Sequence, residues 1–274
     1  MSDSPRSDVE AVRLGVVSYL NAMPLVHALD DGCGVDLVGA PPSGIAAWLR
    51  SGRIDVGLVP VIELLRQPGL ELVSDACVGA FGPVDSVLLL TRTPPDRVVT
   101  CALDPNSRTS QVLVQILLRD HYGACPRFEE TDPETAWSRG THDAVLVIGD
   151  QALRMARWLD GAQVIDLAAA WAEMTGLPFV FAAWAARAGV MQRCPHLGSL
   201  LEDARDRGLE AVDAIAADCA AWGDLSAEEA RVYLTDRIRY RLAAPDRAGL
   251  ARFLELARSF VVGSGSEEPC STSG

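Results

Sequence analysis

An α/β fold in two hinged lobes is predicted by three observations. Short apolar runs alternate with helical periods, the alternation restarts after an extended stretch, and the final part of the chain is helical only. The chain has 274 residues, 49% hydrophobic and 22% charged, which suffices for one large domain or two lobes of ordinary size.

Val12–Ser18 reads as a buried strand, and Pro24 opens a helix through about Leu29 that Asp30-Asp31-Gly32 ends. Val35–Val38 is a second strand. Ser43 is the expected N-cap of a helix through Arg50, closed by Gly52. Asp55–Val59 is a third strand, and Pro60 starts a helix through Leu65. This spacing predicts parallel strands; no element is assigned between Leu65 and Ser86.

Ser86–Arg92 is extended. Then come a strand at Val98–Leu103, a helix at Arg108–Arg119, a strand at Arg127–Glu130, a short helix at Pro133–Arg139, a strand at Asp143–Ile148 and a helix at Asp150–Trp158. Trp48–Val59 and Trp137–Val147 echo each other: helix, Arg near Gly, Asp, apolar strand. Common βα architecture and a pair of related lobes both account for the echo. Leu177–Ala186 is an apolar run expected as a long strand. Beyond Pro195 the expectation is helices only, at 195–207, 209–222, 226–241 and 246–260, then a low-complexity, disordered tail at 263–274. Extended runs near 84–92 and 178–186 are the expected crossings between lobes. They give one lobe from 1–90 with 178–274, and an inserted lobe at 91–177. In such an architecture the ligand sits between the lobes, at the C-terminal ends of strands.

Composition excludes several chemistries. All 24 basic residues are Arg, so no Schiff-base lysine and no Walker A lysine exist. The net charge of −13 argues against a broad nucleic-acid or anionic-membrane surface. The seven Cys form no CxxC pair, and the four His have no HxxxH or HxH spacing, so neither a disulfide framework nor a metal site is expected. The N-terminus lacks the apolar core of a signal peptide, and no run approaches the ~20 apolar residues of a membrane span. A cytoplasmic protein without cofactor is expected.

Three strand-to-helix junctions carry polar residues that helix formation alone does not explain. In Ser18-Tyr19-Leu20-Asn21 before Pro24, the Asn21 amide is either a cap or a ligand contact. Asp104–Ser110 places Ser107, Arg108, Thr109 and Ser110 at a helix N-terminus, a nest of carboxylate or phosphate size. The third joins Ile148-Gly149-Asp150 to Asp166–Trp171 and Thr175-Gly176-Leu177-Pro178; Asp150 reads as a helix cap before it reads as an acid or base. Ser86 lies in the first crossing, where alternate side chains face the cleft. Cys101 lies in a strand and reads as a structural thiol, and Trp171 and Trp184 fit core or ligand wall equally.

These motifs together resemble the MqnA family, the chorismate dehydratases of the futalosine route to menaquinone, over about residues 12–260. The residues that carry the likeness are Ser18-Tyr19-Leu20-Asn21 with Pro24-Leu25, Ser107–Ser110, Ile148–Leu153, and Trp171 with Thr175–Ala182. The resemblance implies the two-lobe type II periplasmic-binding-protein-like fold and conversion of chorismate to 3-[(1-carboxyvinyl)oxy]benzoate with loss of water. It implies Asn21 and Ser86 as catalytic groups. Around the substrate it implies Tyr19, Ser107, Arg108, Thr109, Ser110, Gly149, Asp150, Trp171 and Thr175. No metal or cofactor is implied. The matched motifs hold no evident base, so the substrate's own enolpyruvyl carboxylate is a candidate to take the proton. The rivals are a cytosolic small-carboxylate binder without catalysis and the related 1,4-dihydroxy-6-naphthoate synthase.

Overall fold

The computed structural model describes residues 11–29, 35–155, 162–221 and 225–262. The expected stop at Asp30-Asp31-Gly32, the end of the helix expected to reach Trp158, and the 263–274 tail lie outside them. In chain order β1 (Val12–Val16), α1 (Met23–Val26), β2 (Val35–Gly39), α2 (Pro42–Ser51), β3 (Val56–Pro60), α3 (Glu63–Arg66) and β4 (Leu70–Ala80) build the first lobe's α/β part. Next are β5 (Val87–Thr91), β6 (Thr100–Leu103), α4 (Arg108–Asp120), β7 (Arg127–Glu130), α5 (Pro133–Arg139), β8 (Ala144–Ile148), α6 (Gly149–Met155), β9 (Gln163–Asp166) and α7 (Leu167–Thr175). The chain then returns through β10 (Phe179–Arg187), α8 (Val190–Arg193), α9 (Leu197–Glu210), α10 (Val212–Ala221), α11 (Ala227–Val232), β11 (Arg239–Arg241) and α12 (Ala244–Val262).

Two sheets result, ordered β11-β4-β10-β3-β1-β2 and β7-β6-β8-β5-β9. Both are mixed rather than wholly parallel. β1 pairs parallel with β2 and β3, but β10 runs antiparallel to β3 and β4. In the second sheet β6 is parallel to β7 and β8, while β5 is antiparallel to β8 and β9. The runs read as crossings are therefore sheet strands: β5 opens the second sheet and β10 re-enters the first. Each arrives from the opposite lobe and so runs against the βα strands it joins. The connections themselves are the short segments before them, 81–86 and 176–178.

Asp166 holds the first connection against the start of α7. Its Oδ2 accepts the backbone N–H groups of Val84 (2.8 Å) and Asp85 (2.7 Å), and its Oδ1 accepts those of Ala168 and Ala169 at the start of α7. Asp85 has φ +63°, a left-handed conformation costly for a residue with a Cβ. That Asp166 bond and an ion pair from Arg237 Nε (2.6 Å) hold it there. On the second connection α12 packs so closely that a Cβ on Gly249 would lie 1.9 Å from the Pro178 carbonyl oxygen. Only glycine fits.

Several local expectations change. The α2 N-cap is Pro41 rather than Ser43, which is the second helical residue. Pro60 ends β3 instead of starting a helix. β4, the longest strand, fills the unassigned stretch, and β11 interrupts what read as helices only. Tyr233–Arg237 is a π-helical turn within the expected 226–241 helix. Among the described residues no helix is long and apolar enough to cross a membrane.

Candidate active site

The C-terminal ends of β1, β3, β6 and β8 converge between the sheets on a cavity with about 620 Å³ of free space, mouth included. Its wall takes Tyr19 and Asn21 from the turn after β1, and Ser86 from the first connection. Asn106, Ser107, Arg108, Thr109 and Ser110 come from the β6–α4 junction, and Ile148 and Gly149 from the end of β8. Apolar Val17, Leu58, Val78, Val87 and Phe181 complete it. No Asp, Glu, His or Cys lines the cavity among the described residues, and Arg108 is the single charged side chain there. Positive charge, hydroxyls, amides and the N-terminus of the 13-residue α4 suit an anionic ligand.

Each polar group is held differently. Asp104 is buried and accepts the Asn106 backbone N–H at 2.9 Å, forming the turn that starts α4; burial raises its pKa against the opposing bonds from Asn106. Ser107 is the N-cap of α4 by position, yet its side chain makes no capping bond. The hydroxyls of Ser107 and Ser110 share no hydrogen bond with a described residue and remain for a ligand. Thr109 is committed across the cleft. Its Oγ1 donates to the Phe181 carbonyl (3.2 Å) and accepts the Ile62 N–H (3.4 Å). Arg108 also reaches the first lobe: Nε donates at 2.5 Å to Glu63 Oε1. Glu63 is fully buried, with Arg50, Arg66 and Gln67 as its other partners.

Tyr19 and Gly149 meet across the cleft as well. Gly149 has φ +61°, and a Cβ there would sit 3.3 Å from Tyr19 Cε1, so glycine is required on both counts. Burial, then the charges of Asp104 and Asp150, raise the Tyr19 phenol pKa and keep it protonated. Asp150 is the second residue of α6, outside the cavity wall; it acts at a distance on Tyr19. Ser86 is buried; its carbonyl accepts the Gly149 N–H at 2.7 Å.

Two expected substrate contacts lie elsewhere. Trp171 is fully buried, its indole N–H bonded to the Pro178 carbonyl at 3.2 Å and its ring edge-on to Phe179 and Phe253. Thr175 closes α7 by donating to the Trp171 carbonyl (2.7 Å) and accepting the Leu177 N–H (3.2 Å). The Trp171–Pro178 motif thus packs the second connection, and neither residue lines the cavity. Cys101 is a buried thiol whose pKa burial pushes up to about 12, which suits packing and not attack. Among the described residues no group of three or more His, Cys, Asp or Glu is placed to hold a metal.

Sequence reading missed Tyr233 and Glu63. The Tyr233 phenol donates to Ser86 Oγ at 2.7 Å from 147 positions away, so no local signal marks it. Glu63 follows a strand like any helix-opening acid; only its three arginine neighbours set it apart.

The chain also resembles known proteins along most of its length. Residues 12–259 match the family model described as menaquinone biosynthesis. The chain belongs to the menaquinone biosynthesis family. Among family relatives, the chorismate dehydratase of Thermus thermophilus is 32% identical over 260 residues, covering 88% of this chain and 93% of that protein. The chorismate dehydratase of Campylobacter jejuni is 27% identical over 252 residues, covering 89% and 97%. The fold of this menaquinone biosynthesis family member also matches solved structures. A protein from Archaeoglobus fulgidus aligns with TM-score 0.74 at 16% identity, over 92% of this chain and 98% of that one. The periplasmic aliphatic sulphonate binding protein SsuA of Escherichia coli aligns with TM-score 0.64 at 17% identity, over 99% and 95%. The fold is the two-lobe periplasmic-binding-protein-like one.

Proposed function

We propose that this chain is a chorismate dehydratase, a hydro-lyase forming 3-[(1-carboxyvinyl)oxy]benzoate and water. The observation that carries the reading is the cavity wall, in which, among the described residues, hydroxyls, amides, a helix N-terminus and one arginine surround a space without a carboxylate. The names of the two relatives point to the same substrate, and the family match supports a place in menaquinone biosynthesis.

In chorismate, the hydrogen on carbon 3 is acidified through the ring diene by the ring carboxylate. Its removal builds charge on that carboxylate as a dienolate; loss of hydroxide from carbon 4 then makes the ring aromatic, and the proton and hydroxide leave as water. The hydroxyls of Ser107 and Ser110, the N–H groups opening α4 and the Arg108 guanidinium stabilise this growing charge more than the ground state, as an oxyanion hole does. Asn21 orients the substrate or hydrogen-bonds the departing hydroxyl, and Ser86 fixes a carboxyl group. With no acidic or imidazole side chain in the wall, the substrate's enolpyruvyl carboxylate, folded over the ring, takes the proton.

The test is incubation of the purified protein with chorismate, followed by mass spectrometry and ultraviolet absorbance. An aromatic product lighter by one water is expected. Chorismate returned unchanged overturns the reading and leaves a binder.

A further inference from the structure

Ser86 does not face the cavity unsupported. The Tyr233 side chain, behind the wall and outside the lining, ends with its phenol donating to Ser86 Oγ at 2.7 Å. The Asn21 side chain also acts on this phenol, favouring its ionised form. Tyr233 is buried, and burial raises its pKa far above the ordinary value, outweighing the opposing effects of Ser86 and Asn21. The phenol is a permanent donor. A serine hydroxyl carries one proton and two acceptor sites. With one acceptor site filled from behind, the serine proton is left to point forward into the cavity.

The backbone is built to deliver this contact. Tyr233 opens a five-residue π-helical turn, and Arg237 ends it. Such widened turns recur at functional positions. Here the turn sends Tyr233 to Ser86 and Arg237 to Asp85, two consecutive residues of the first connection. Tyr233 thus bonds Ser86 directly and is itself acted on by Asn21.

We propose that Tyr233 is a positioning residue for the reaction: it fixes the direction in which the Ser86 hydroxyl donates. The proposal rests on the reading of Ser86 and Asn21 as substrate-contacting groups.

A double-mutant cycle tests it, with kcat/KM for chorismate measured in Tyr233→Phe, Ser86→Ala and the double variant beside thermal melts. Loss of one hydrogen bond to a charged or polarised group corresponds to roughly ten- to a hundredfold in rate. Tyr233→Phe is expected to lose about that much. Added to Ser86→Ala it is expected to lose about twofold or less, because its effect passes through the serine. Full activity in Tyr233→Phe with a crippled Ser86→Ala overturns the role of Tyr233 alone, as do losses that simply multiply. Full activity in Ser86→Ala overturns the site reading and the proposal with it. Site-specific 3-fluorotyrosine at 233 keeps the volume and sharpens the donor, so it serves even if the phenylalanine variant unfolds. A changed kcat/KM at an unchanged melt is expected, and no change in kcat/KM overturns the proposal.

Discussion

Ser110 and Thr109 are adjacent hydroxyls with opposite commitments. Thr109 is bonded on both sides to the first lobe, whereas the Ser110 hydroxyl has no partner among the described residues. Ser110→Ala therefore removes a ligand contact and nothing structural. A hydrogen bond to a charged group contributes roughly 1.5–3 kcal/mol, so kcat/KM should fall about ten- to a hundredfold. The melting temperature should stay within a degree or so of the parent; a clear drop in a calorimetric melt would make Ser110 a structural residue instead. Local motifs made this junction readable in the sequence, because Ser107–Ser110 are contiguous and follow a strand. Trp171 and Thr175 misled for the same reason. Their motif is contiguous too, but what it specifies is the packing of α7 on the second connection, and a motif does not say whether it serves a wall or a core.

At the scale of elements, the echo between Trp48–Val59 and Trp137–Val147 is a real structural repeat. α2 and α5 each end on a left-handed glycine, Gly52 at φ +75° and Gly140 at φ +61°. An Asp then precedes the strand and accepts backbone N–H groups at the start of the parallel neighbour: Asp55 from Arg13, and Asp143 from Val99 and Thr100. Each Trp stacks under an arginine, Trp48 under Arg53 and Trp137 under Arg92. Burial works against charge at Asp55, but bonds from the Arg13 backbone and guanidinium and from Arg193 outweigh it and lower its pKa. A depressed folded pKa stabilises the fold above the unfolded value of about 3.9, and that contribution is lost as pH falls through the folded value. Asp55→Asn should thus melt lower at neutral pH and show a flatter acid limb when melts are run from pH 7 to pH 3. A parallel downward shift at every pH would show that its charge is irrelevant. β4 escaped reading because Glu71, Ser74 and Asp75 break its apolar pattern, although β10 and β11 flank it on both sides. β11 is only three residues long, too short for a pattern.

Across the whole molecule, the cleft is closed by contacts from the β6–α4 junction to the first lobe, and the buried Glu63–Arg108 pair is the charged one. Arg108 is held at Nε, which sets the plane of a guanidinium that also lines the cavity. Glu63→Gln should loosen closure and free that plane. KM should rise about tenfold, in line with loss of a charge-assisted bond. Small-angle scattering should show a larger ligand-free radius that product restores. An unchanged radius and KM would mean that the pair is mere packing. The two-lobe plan was legible from the restart of the βα pattern, yet this pair was not, since its partners are 45 positions apart in different lobes.

The single carboxylate of Asp166 gathers amides from the first connection, Val84 and Asp85, and from the start of α7, the helix that follows β9 of the second sheet. A link pinned to one of the two bodies it joins cannot slide along that body, so the freedom left to it lies on the far side of the pin. Tyr19 and Gly149, or Thr109 and Phe181, then meet from an anchor whose place beside the second sheet is fixed.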